Sequence, residues 1–500
     1  MGSTFSGLEL SRRALSSQQA ALNITGHNIS NSNTQGYTRQ IANLTATTPA
    51  TIPIAGRNLS LGSGVTLDTI TRARDAFVDR QFRGETSKQQ YWAAKQDSLT
   101  KVEDVINEPS DNSLSNDMNQ FWTAWSDLSK GPENAGARSV VRERALTLTD
   151  SLHSISTQMS DRQNDLNSQV NVQISQINVY ANQIKDLNDQ IKRSEVSGDN
   201  PNDLRDSRDN LVDELSKIVS VRVTETRDPS FTDRQVNIYK VDIGNEMPAQ
   251  TLVNDGVVSK LVSATTQSGL DIGFGKNDIT TVQWDAGAPN GCTGALNLGQ
   301  NLGTLQANID TRDTYLTALQ GKYDTLAKGI VTAMNELHGT GKTANGTTGT
   351  PFFDAAKLTA STISLDASIA GDINKIVTGV GTSGDGSIAT AISLLSRGWS
   401  SLSAATQGAN KTAYGTSLGD YYGATVAQLG VDVQQANRMK AGEDVLLTNV
   451  ASQRESFSGV SLDEEMTNLI KFQKSYAAAA RMVTMMDDML STIMNMGITR

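Results

Sequence analysis

The last long stretch of the chain decides the fold. Residues 462–496 read LDEEMTNLIKFQKSYAAAARMVTMMDDMLSTIMNM. Apolar residues recur there at alternating steps of three and four, which predicts a helix with one continuous apolar stripe. The stripe consists of Leu469, Phe472, Tyr476, Ala479, Val483, Met486, Leu490 and Ile493. Such a helix is marginal in water until a partner helix covers its stripe, so this end of the chain predicts a helical contact.

The opposite end carries a matching stripe. Residues 3–30 predict a helix in which apolar residues recur every seven positions, all on one side. We therefore expect the two ends to pack together or against other subunits. The residues expected to make this contact, here named the predicted assembly seam, are Leu8, Leu15, Leu22, Ile29, Leu469, Phe472, Tyr476, Val483, Met486, Leu490 and Ile493.

Between the two ends, most of the patterns are helical. Helix periodicity covers about 72–106, 115–128, 134–194, 202–219, 303–338, 387–397 and 420–457. Residues 40–70 read as extended and hairpin-like, residues 220–300 as short strands separated by turns, and residues 401–417 as a loop.

These patterns predict a mainly α protein with a smaller β-rich part. We expect an elongated molecule in which a long helical bundle domain is joined to paired N- and C-terminal coiled-coil helices. Three domains are predicted: residues 1–70 with 458–500 as a terminal coiled-coil domain, 71–220 with 300–457 as a mainly helical outer domain, and 221–299 as a small β-rich subdomain.

Composition narrows the class of function. The 500 residues include 43 basic and 53 acidic residues, giving a net charge of −10, which argues against a nucleic-acid binder. No run of 18 apolar residues occurs, so no membrane span is expected. The first residues show no basic region followed by an apolar stretch, so no cleaved signal peptide is expected.

Catalytic and metal-binding patterns are also missing from the sequence. The single cysteine, Cys292, has no evident partner base, and the three histidines lie far apart. Asp199, Asp203, Asp206 and Asp209 lack the glycine of a calcium loop, and we interpret them as residues that favour the start of the helix after Pro201. We expect no catalytic site, no metal and no cofactor. The methionines crowded near the C-terminus are typical of an adaptable packing surface.

Both ends resemble a known family. Residues 21–40, ALNITGHNISNSNTQGYTRQ, and residues 462–481, LDEEMTNLIKFQKSYAAAAR, are similar to the paired terminal signatures of bacterial flagellar axial proteins, which are the rod, hook and hook-associated subunits. Residues 202–209, NDLRDSRD, resemble an internal motif of the same family. The residues that carry the N-terminal signature are Asn28, Asn31, Asn33, Thr34, Gly36, Tyr37 and Arg39.

The resemblance implies a structural subunit at the junction between the flagellar hook and filament, with its terminal helices in an inner tube. It implies contacts with further copies, with the hook protein and with the second junction protein. It also implies export into the extracellular flagellum through the flagellar type III apparatus, after an export chaperone has held the C-terminal helix. For the chaperone we expect anchors at Leu469, Phe472, Tyr476 and Met486.

Two other interpretations stay open. The chain could be another axial protein, namely a rod, hook or second junction protein, although a hook protein would carry Phe where Tyr37 stands. It could also be a cytoplasmic coiled-coil adaptor, which would not need both terminal signatures.

Overall fold

The computed structural model describes residues 6–54, 57–244, 250–268, 278–300, 302–343, 345–381 and 384–498. Helices dominate, as predicted. They are α1 (Ser6–Ser30), α2 (Ala76–Ile106), α3 (Leu114–Lys130), α4 (Ala135–Val196), α5 (Asn202–Ile218), α6 (Gly303–Ile309), α7 (Leu316–Thr340), α8 (Ala367–Gly371), α9 (Ser387–Ser393), α10 (Ala404–Tyr414), α11 (Leu418–Ser458) and α12 (Leu462–Ile498). A π-helical segment, Asp310–Tyr315, joins α6 to α7.

The strands fall into two regions. The first holds β1 (Gln40–Ala46), β2 (Ala50–Ile54), β3 (Arg57–Leu61) and β4 (Val65–Arg72); the second holds β5 (Val221–Arg227), β6 (Asn237–Ile243), β7 (Thr251–Asn254), β8 (Val257–Val258), β9 (Leu261–Ser268) and β10 (Asp278–Trp284). In the first region β1 pairs with β4 and β2 with β3, both antiparallel, so residues 40–70 form the predicted hairpin-like structure. The second region contains a four-stranded sheet of order β5-β6-β7-β8 and a separate two-stranded hairpin of β9 and β10.

Side-chain caps explain where several helices begin. Asp75 accepts a hydrogen bond from the backbone N–H of Phe77 at the start of α2, and Asn134 accepts from two N–H groups at the start of α4. Ser417 caps α11 in the same way. These short polar side chains satisfy N–H groups that the first helical turn leaves without partners.

Two hydrophobic clusters form the core. The larger joins α2, α3, the first half of α4, α7 and the first half of α11, with Trp125 and Phe352 fully buried. The smaller lies between the second half of α4, α5 and the sheet, around Ile177 and Val241. Helix α4 is 62 residues long and passes through both clusters, because its buried apolar stripe continues from Val141 to Ile191.

The molecule is elongated, as predicted. Its accessible surface is 25040 Å² for a mass of 53.5 kDa. A compact monomer of that mass would expose roughly 18,000 Å². Helix α4 alone would span about 90 Å at the usual rise per residue. Over the described stretches, no helix has the length and apolarity needed to cross a membrane.

One predicted element is wrong. Residues 401–417 were expected to be a loop, but Ala404–Tyr414 form α10. Ser403 caps this helix by accepting from Thr406 N, and Tyr414 packs its ring against Trp399 at a centroid distance of 5.6 Å. Only two α10 residues are buried, so the helix has too narrow an apolar stripe to be predicted from periodicity.

Candidate functional site

Helices α1 and α12 form an antiparallel pair within one chain. The side chain of Met486 lies against Gly7, where an added Cβ would stand 2.7 Å from the Met486 Cε. At the other end of the pair, Asn28 Nδ2 donates to Glu465 Oε2 at 3.1 Å. The start of α1 therefore meets the C-terminal half of α12, and the end of α1 meets its first turn.

Most of the predicted assembly seam is half-buried in the folded chain. Leu8, Leu15, Leu22, Ile29, Leu469, Phe472, Val483, Met486 and Leu490 are all half-buried. Tyr476 remains 37 % exposed and Ile493 54 % exposed. The register of the Gly7 and Asn28 contacts places both Leu490 and Ile493 past Ser6, the first described residue of α1.

Other apolar side chains of α12, spread around the helix outside the seam, point to solvent. These residues are at least 40 % exposed, and they are Met466, Ile470, Met482, Met485, Met489 and Met494. Methionine adapts its shape to irregular partners, and several exposed apolar side chains on one helix indicate an interaction surface. We name these residues the outer methionine group.

The signature residue Asn28 joins three segments of the chain. Its Nδ2 also donates to the backbone O of Gln40, at 2.9 Å, and its Oδ1 accepts from Gln40 N, at 3.0 Å, and from the Tyr37 hydroxyl, at 2.7 Å. Burial, together with the charges of Asp203, Asp206 and Glu465, raises the pKa of Tyr37. The hydroxyl therefore stays protonated at neutral pH and keeps its bond to Asn28.

Arg39 links the signature to the C-terminal helix. Its Nε donates to Glu465 Oε1 at 2.8 Å, and its NH1 group lies 2.7 Å from Glu464 Oε2. The Arg39 backbone N–H also donates to the O of Ser458, the last residue of α11. Glu465 is 2 % exposed, so its charge is held by Arg39 and Asn28 together.

The other signature residues shape the loop between α1 and β1. The Asn31 side chain donates to His27 O, and Thr34 Oγ1 donates to Asn31 Oδ1. Gly36 has a φ of +75° and faces the Asn210 amide so closely that a Cβ would collide with it, which explains the glycine. Asn33 and Thr34 are exposed at the loop surface.

Next to the signature loop lies a buried ion-pair network that could not be predicted from the sequence. Asp209 of α5 accepts from Arg72 and Arg74 at 2.8 and 2.9 Å and lies 3.4 Å from Arg83. The wider network contains Arg72, Arg74, Arg83, Arg454, Asp79, Asp206, Asp209 and Asp213. It joins β4, α2, α5 and α11 at one point.

The interpretation of Asp206 and Asp209 as residues that favour a helix start is therefore wrong. Both are buried in the second and third turns of α5 and act as ion-pair acceptors. Burial opposes ionisation of Asp209, but the charges of Arg74, Arg72 and Arg83 outweigh it and lower its pKa. The resemblance of residues 202–209 to a family motif was the one signal that pointed to this position.

The metal-ligating side chains of the described ranges do not form a metal site. No group of three His, Cys, Asp or Glu side chains there is arranged to hold a metal ion. Cys292 is buried, with its Sγ 3.6 Å from Thr251 O, and burial raises the pKa of its thiol. The site consists of helix faces and hydrogen-bonded junctions, which can hold segments of protein together.

Family models match along the chain. Residues 99–353 match the flagellar hook-associated protein FlgK helical domain. Residues 8–38 match the flagella basal body rod protein model, and residues 451–496 match the flagellar basal body rod FlgEFG protein C-terminal model. The two end matches cover α1 with the signature loop and α12.

Curated relatives and a solved structure agree with these matches. The chain is 33 % identical to flagellar hook-associated protein 1 of Bacillus subtilis, over 100 % of this chain and 99 % of the relative. It is 25 % identical to flagellar hook-associated protein 1 of Escherichia coli, over 96 % and 98 % of the two chains. The flagellar hook junction protein FlgK of Burkholderia pseudomallei has a similar fold, with a TM-score of 0.61 and 14 % identity over 76 % of this chain and 100 % of that one.

The terminal helix pair, its signature loop and the matches at both ends define a structural subunit of the flagellar axial assembly. Among these axial proteins, the chain belongs to the flagellar hook-associated protein 1 family.

Proposed function

We propose that this chain forms the junction between the hook and the filament of the bacterial flagellum. The observation that carries the proposal is the antiparallel pair of α1 and α12, joined at Asn28, Arg39 and Glu465 by the signature residues. Many copies would assemble into a short helical tube, with contacts that repeat from subunit to subunit without closing on themselves. The outermost copies would contact the hook protein on one side and the second junction protein on the other.

In this proposal the assembly seam and the other exposed apolar residues of α12 have different roles. The assembly seam holds α12 to α1, and its exposed members Tyr476 and Ile493, together with the outer methionine group, contact neighbouring subunits. A single chain in water leaves that surface uncovered, and burying it in a tube would supply the free energy of assembly.

Export precedes assembly in the proposal. The chain would leave the cell through the flagellar type III apparatus as an unfolded polypeptide and act outside the cell. A chaperone would bind the C-terminal helix at Leu469, Phe472, Tyr476 and Met486. Three of these four residues are half-buried in the folded chain, so the chaperone would bind before α1 and α12 pair.

We also propose that the chain has no enzymatic activity and needs no cofactor. The polar groups of the signature and of the ion-pair network bind one another, which suits a structural joint.

The junction function is tested by deleting the gene from its host. We expect cells with complete hooks, no attached filaments and flagellin released into the medium, with filaments restored by a plasmid copy. Loss of the hooks themselves would instead indicate a rod or hook protein. Normal filaments in the deletion strain would indicate the adaptor interpretation, and either result would reject the proposal.

A further inference from the structure

Helices α2 and α11 extend beyond the hydrophobic core. We name α2–α11 with β5–β10 the body of the molecule. Among the described residues, the two hydrophobic clusters contain no part of α2 before Tyr91 and no part of α11 after Ala436. Residues 76–90 and 437–458, here named the two-helix segment, therefore pack outside the apolar core of the body.

Polar contacts join the two helices along this segment. Arg454 Nε lies 2.9 Å from Asp79 Oδ1, and Gln89 Nε2 donates to Asp444 Oδ1 at 2.7 Å. Later residues of α2 thus meet earlier residues of α11, so the two helices run antiparallel. In each of these contacts a donor meets an acceptor, and the two groups satisfy one another.

Two carboxyl groups of the segment face each other without a donor. Glu85 Oε2 on α2 and Glu443 Oε2 on α11 are both shielded from water, and neither accepts a hydrogen bond from any described group. The two side chains are nevertheless within hydrogen-bonding reach of each other. Two ionised carboxylates cannot bond to each other, because both only accept, so a proton is the missing donor.

The charges beside this pair do not replace the proton. Lys88 Nζ lies 3.1 Å from Glu85 Oε1, so it holds the other oxygen of that side chain. Lys440 pairs with Asp444 instead, at 3.1 Å. Burial, and then the charge of Glu85, raises the pKa of Glu443, and Lys88 opposes this rise without cancelling it.

Nearby charged groups on α4, α5, β5 and the π-helical segment, which also pack on α2, are bound in pairs of their own. The pairs are Arg162 with Asp165, Arg83 with Asp213, Lys217 with Glu214, Arg222 with Asp242, and Tyr91 with Asp310. Helix α6, which packs on α2 as well, carries no charged side chain.

We propose that Glu85 and Glu443 share one proton and so form a proton-binding site that joins α2 to α11. With the proton bound, one carboxyl group donates to an oxygen of the other, and the two-helix segment stays closed. The proton comes from water and returns to it, so the site needs no other reactant. The inference concerns α2 and α11 and does not depend on the proposed function.

Loss of the proton opens the segment. Two carboxylates at this distance repel each other in a place from which water is largely excluded. The stabilisation from the shared proton is therefore full at acid pH and is lost as the pH rises through the folded pKa of the pair. Because two interacting carboxyl groups titrate together, this pKa belongs to the pair rather than to either residue.

Hydrogen exchange measured by mass spectrometry on the full-length chain tests the proposal. Exchange of the two-helix segment is compared at about pH 5 and about pH 8, after correction for the intrinsic pH dependence of amide exchange. We expect the segment to exchange about tenfold faster at the higher pH, which is the effect of one pKa unit. Helix α4 should not exchange faster at the higher pH, because the site acts on α2 and α11 only.

Glutamine supplies the missing donor at every pH. Glu443→Gln, and independently Glu85→Gln, should therefore keep exchange of the segment slow at both pH values. Glu103→Gln is the matched control, because this exposed α2 carboxylate lies outside the segment and its loss should leave the pH response intact. An equal pH response in Glu443→Gln and in the unsubstituted chain overturns the proposal. A segment of the unsubstituted chain that does not respond to pH, or one that responds only together with α4, overturns it as well.

Discussion

Asn28 and Glu465 share a hydrogen bond of 3.1 Å across 437 positions of sequence. The amide of Asn28 therefore connects the last turn of α1 to the first turn of α12, while its other bonds hold Tyr37 and Gln40. Arg39 approaches the same Glu465 carboxylate from the signature loop. The two family signatures, which lie at opposite ends of the sequence, thus form one hydrogen-bonded structure in the folded chain.

Removal of the Glu465 side chain should loosen the terminal helix pair. Glu465→Ala leaves Arg39 and Asn28 without their buried acceptor, which should cost about 1–3 kcal/mol at this junction. Hydrogen exchange measured by mass spectrometry should then show faster exchange in α1 and α12 and unchanged exchange in α4. Glu464→Ala is the control, because this carboxylate is 62 % exposed and should contribute less than about 1 kcal/mol. Equal effects of the two substitutions would refute the prediction.

A charge on the assembly seam should prevent assembly without unfolding the body. Val483→Asp and Leu490→Asp each place a carboxylate against an apolar helix face, at a cost of several kcal/mol to helix packing. The main thermal unfolding transition should hardly move, because neither residue belongs to the two hydrophobic clusters. Gln473→Asp, at an exposed polar position of α12, is the control. Filaments attached normally to cells that carry Val483→Asp would show that the seam is not needed for assembly.

Chaperone binding should require the C-terminal helix. A chain that ends at Ser458 should remain folded in its body and should not bind the export chaperone, because Leu469, Phe472, Tyr476 and Met486 are absent from it. Isothermal titration calorimetry with the purified chaperone measures the affinity of the full-length and the shortened chain. Phe472→Ser with Met486→Ser should weaken binding of the full-length chain, whereas Thr467→Ser at an exposed position should not. Tight binding of the shortened chain would place the recognition site on the body.

The buried imidazole of His338 should make the body sensitive to acid. Val377 N donates to its Nε2 at 2.9 Å, its Nδ1 lies 2.5 Å from Thr350 O, and burial lowers its pKa to about 4. Between about pH 6.5 and 4 the unfolded chain binds the proton more tightly than the folded one, so stability is full above that window and falls as the pH is lowered through it. The loss attributable to His338 is about 3 kcal/mol.

Denaturant unfolding at several pH values checks this assignment. His338→Gln should destabilise the chain at pH 7, because glutamine cannot reproduce both ring contacts in the same geometry, and the difference from the unsubstituted chain should shrink towards pH 4. A difference that stays constant over this range would contradict the role assigned to the imidazole.

Glu443 and Asp444, adjacent on α11, should respond to pH with opposite signs. Burial, and then the nearby Glu85 carboxylate, raises the pKa of Glu443, so its contribution to stability is present at acid pH and is lost as the pH rises through its folded pKa. Glu443→Gln should therefore raise the melting temperature at pH 7 and have little effect at pH 4. Asp444 accepts from Gln89 and Lys440, contacts that lower its pKa. Asp444→Asn should accordingly lower the melting temperature at pH 7, and two shifts of the same sign would contradict this account.

Some elements could be predicted because their signal is local. Helix α12 follows from apolar residues at steps of three and four, and the 62-residue helix α4 follows from the same periodicity. Helix α10 was missed because only Asn410 and Tyr414 are buried in it, so its sequence carries no periodic apolar stripe.

The sequence by itself determined the helical ends, the mainly α class and, through the two terminal signatures, the family. The tertiary structure alone decided that Asp206 binds Arg72, 134 positions away, and that Asp209 forms ion pairs with Arg72 and Arg74. The physical reason is that helix periodicity reflects the burial of one face, which repeats along the chain. A buried ion pair depends on two charged side chains meeting in space, and no local pattern in either segment records that meeting.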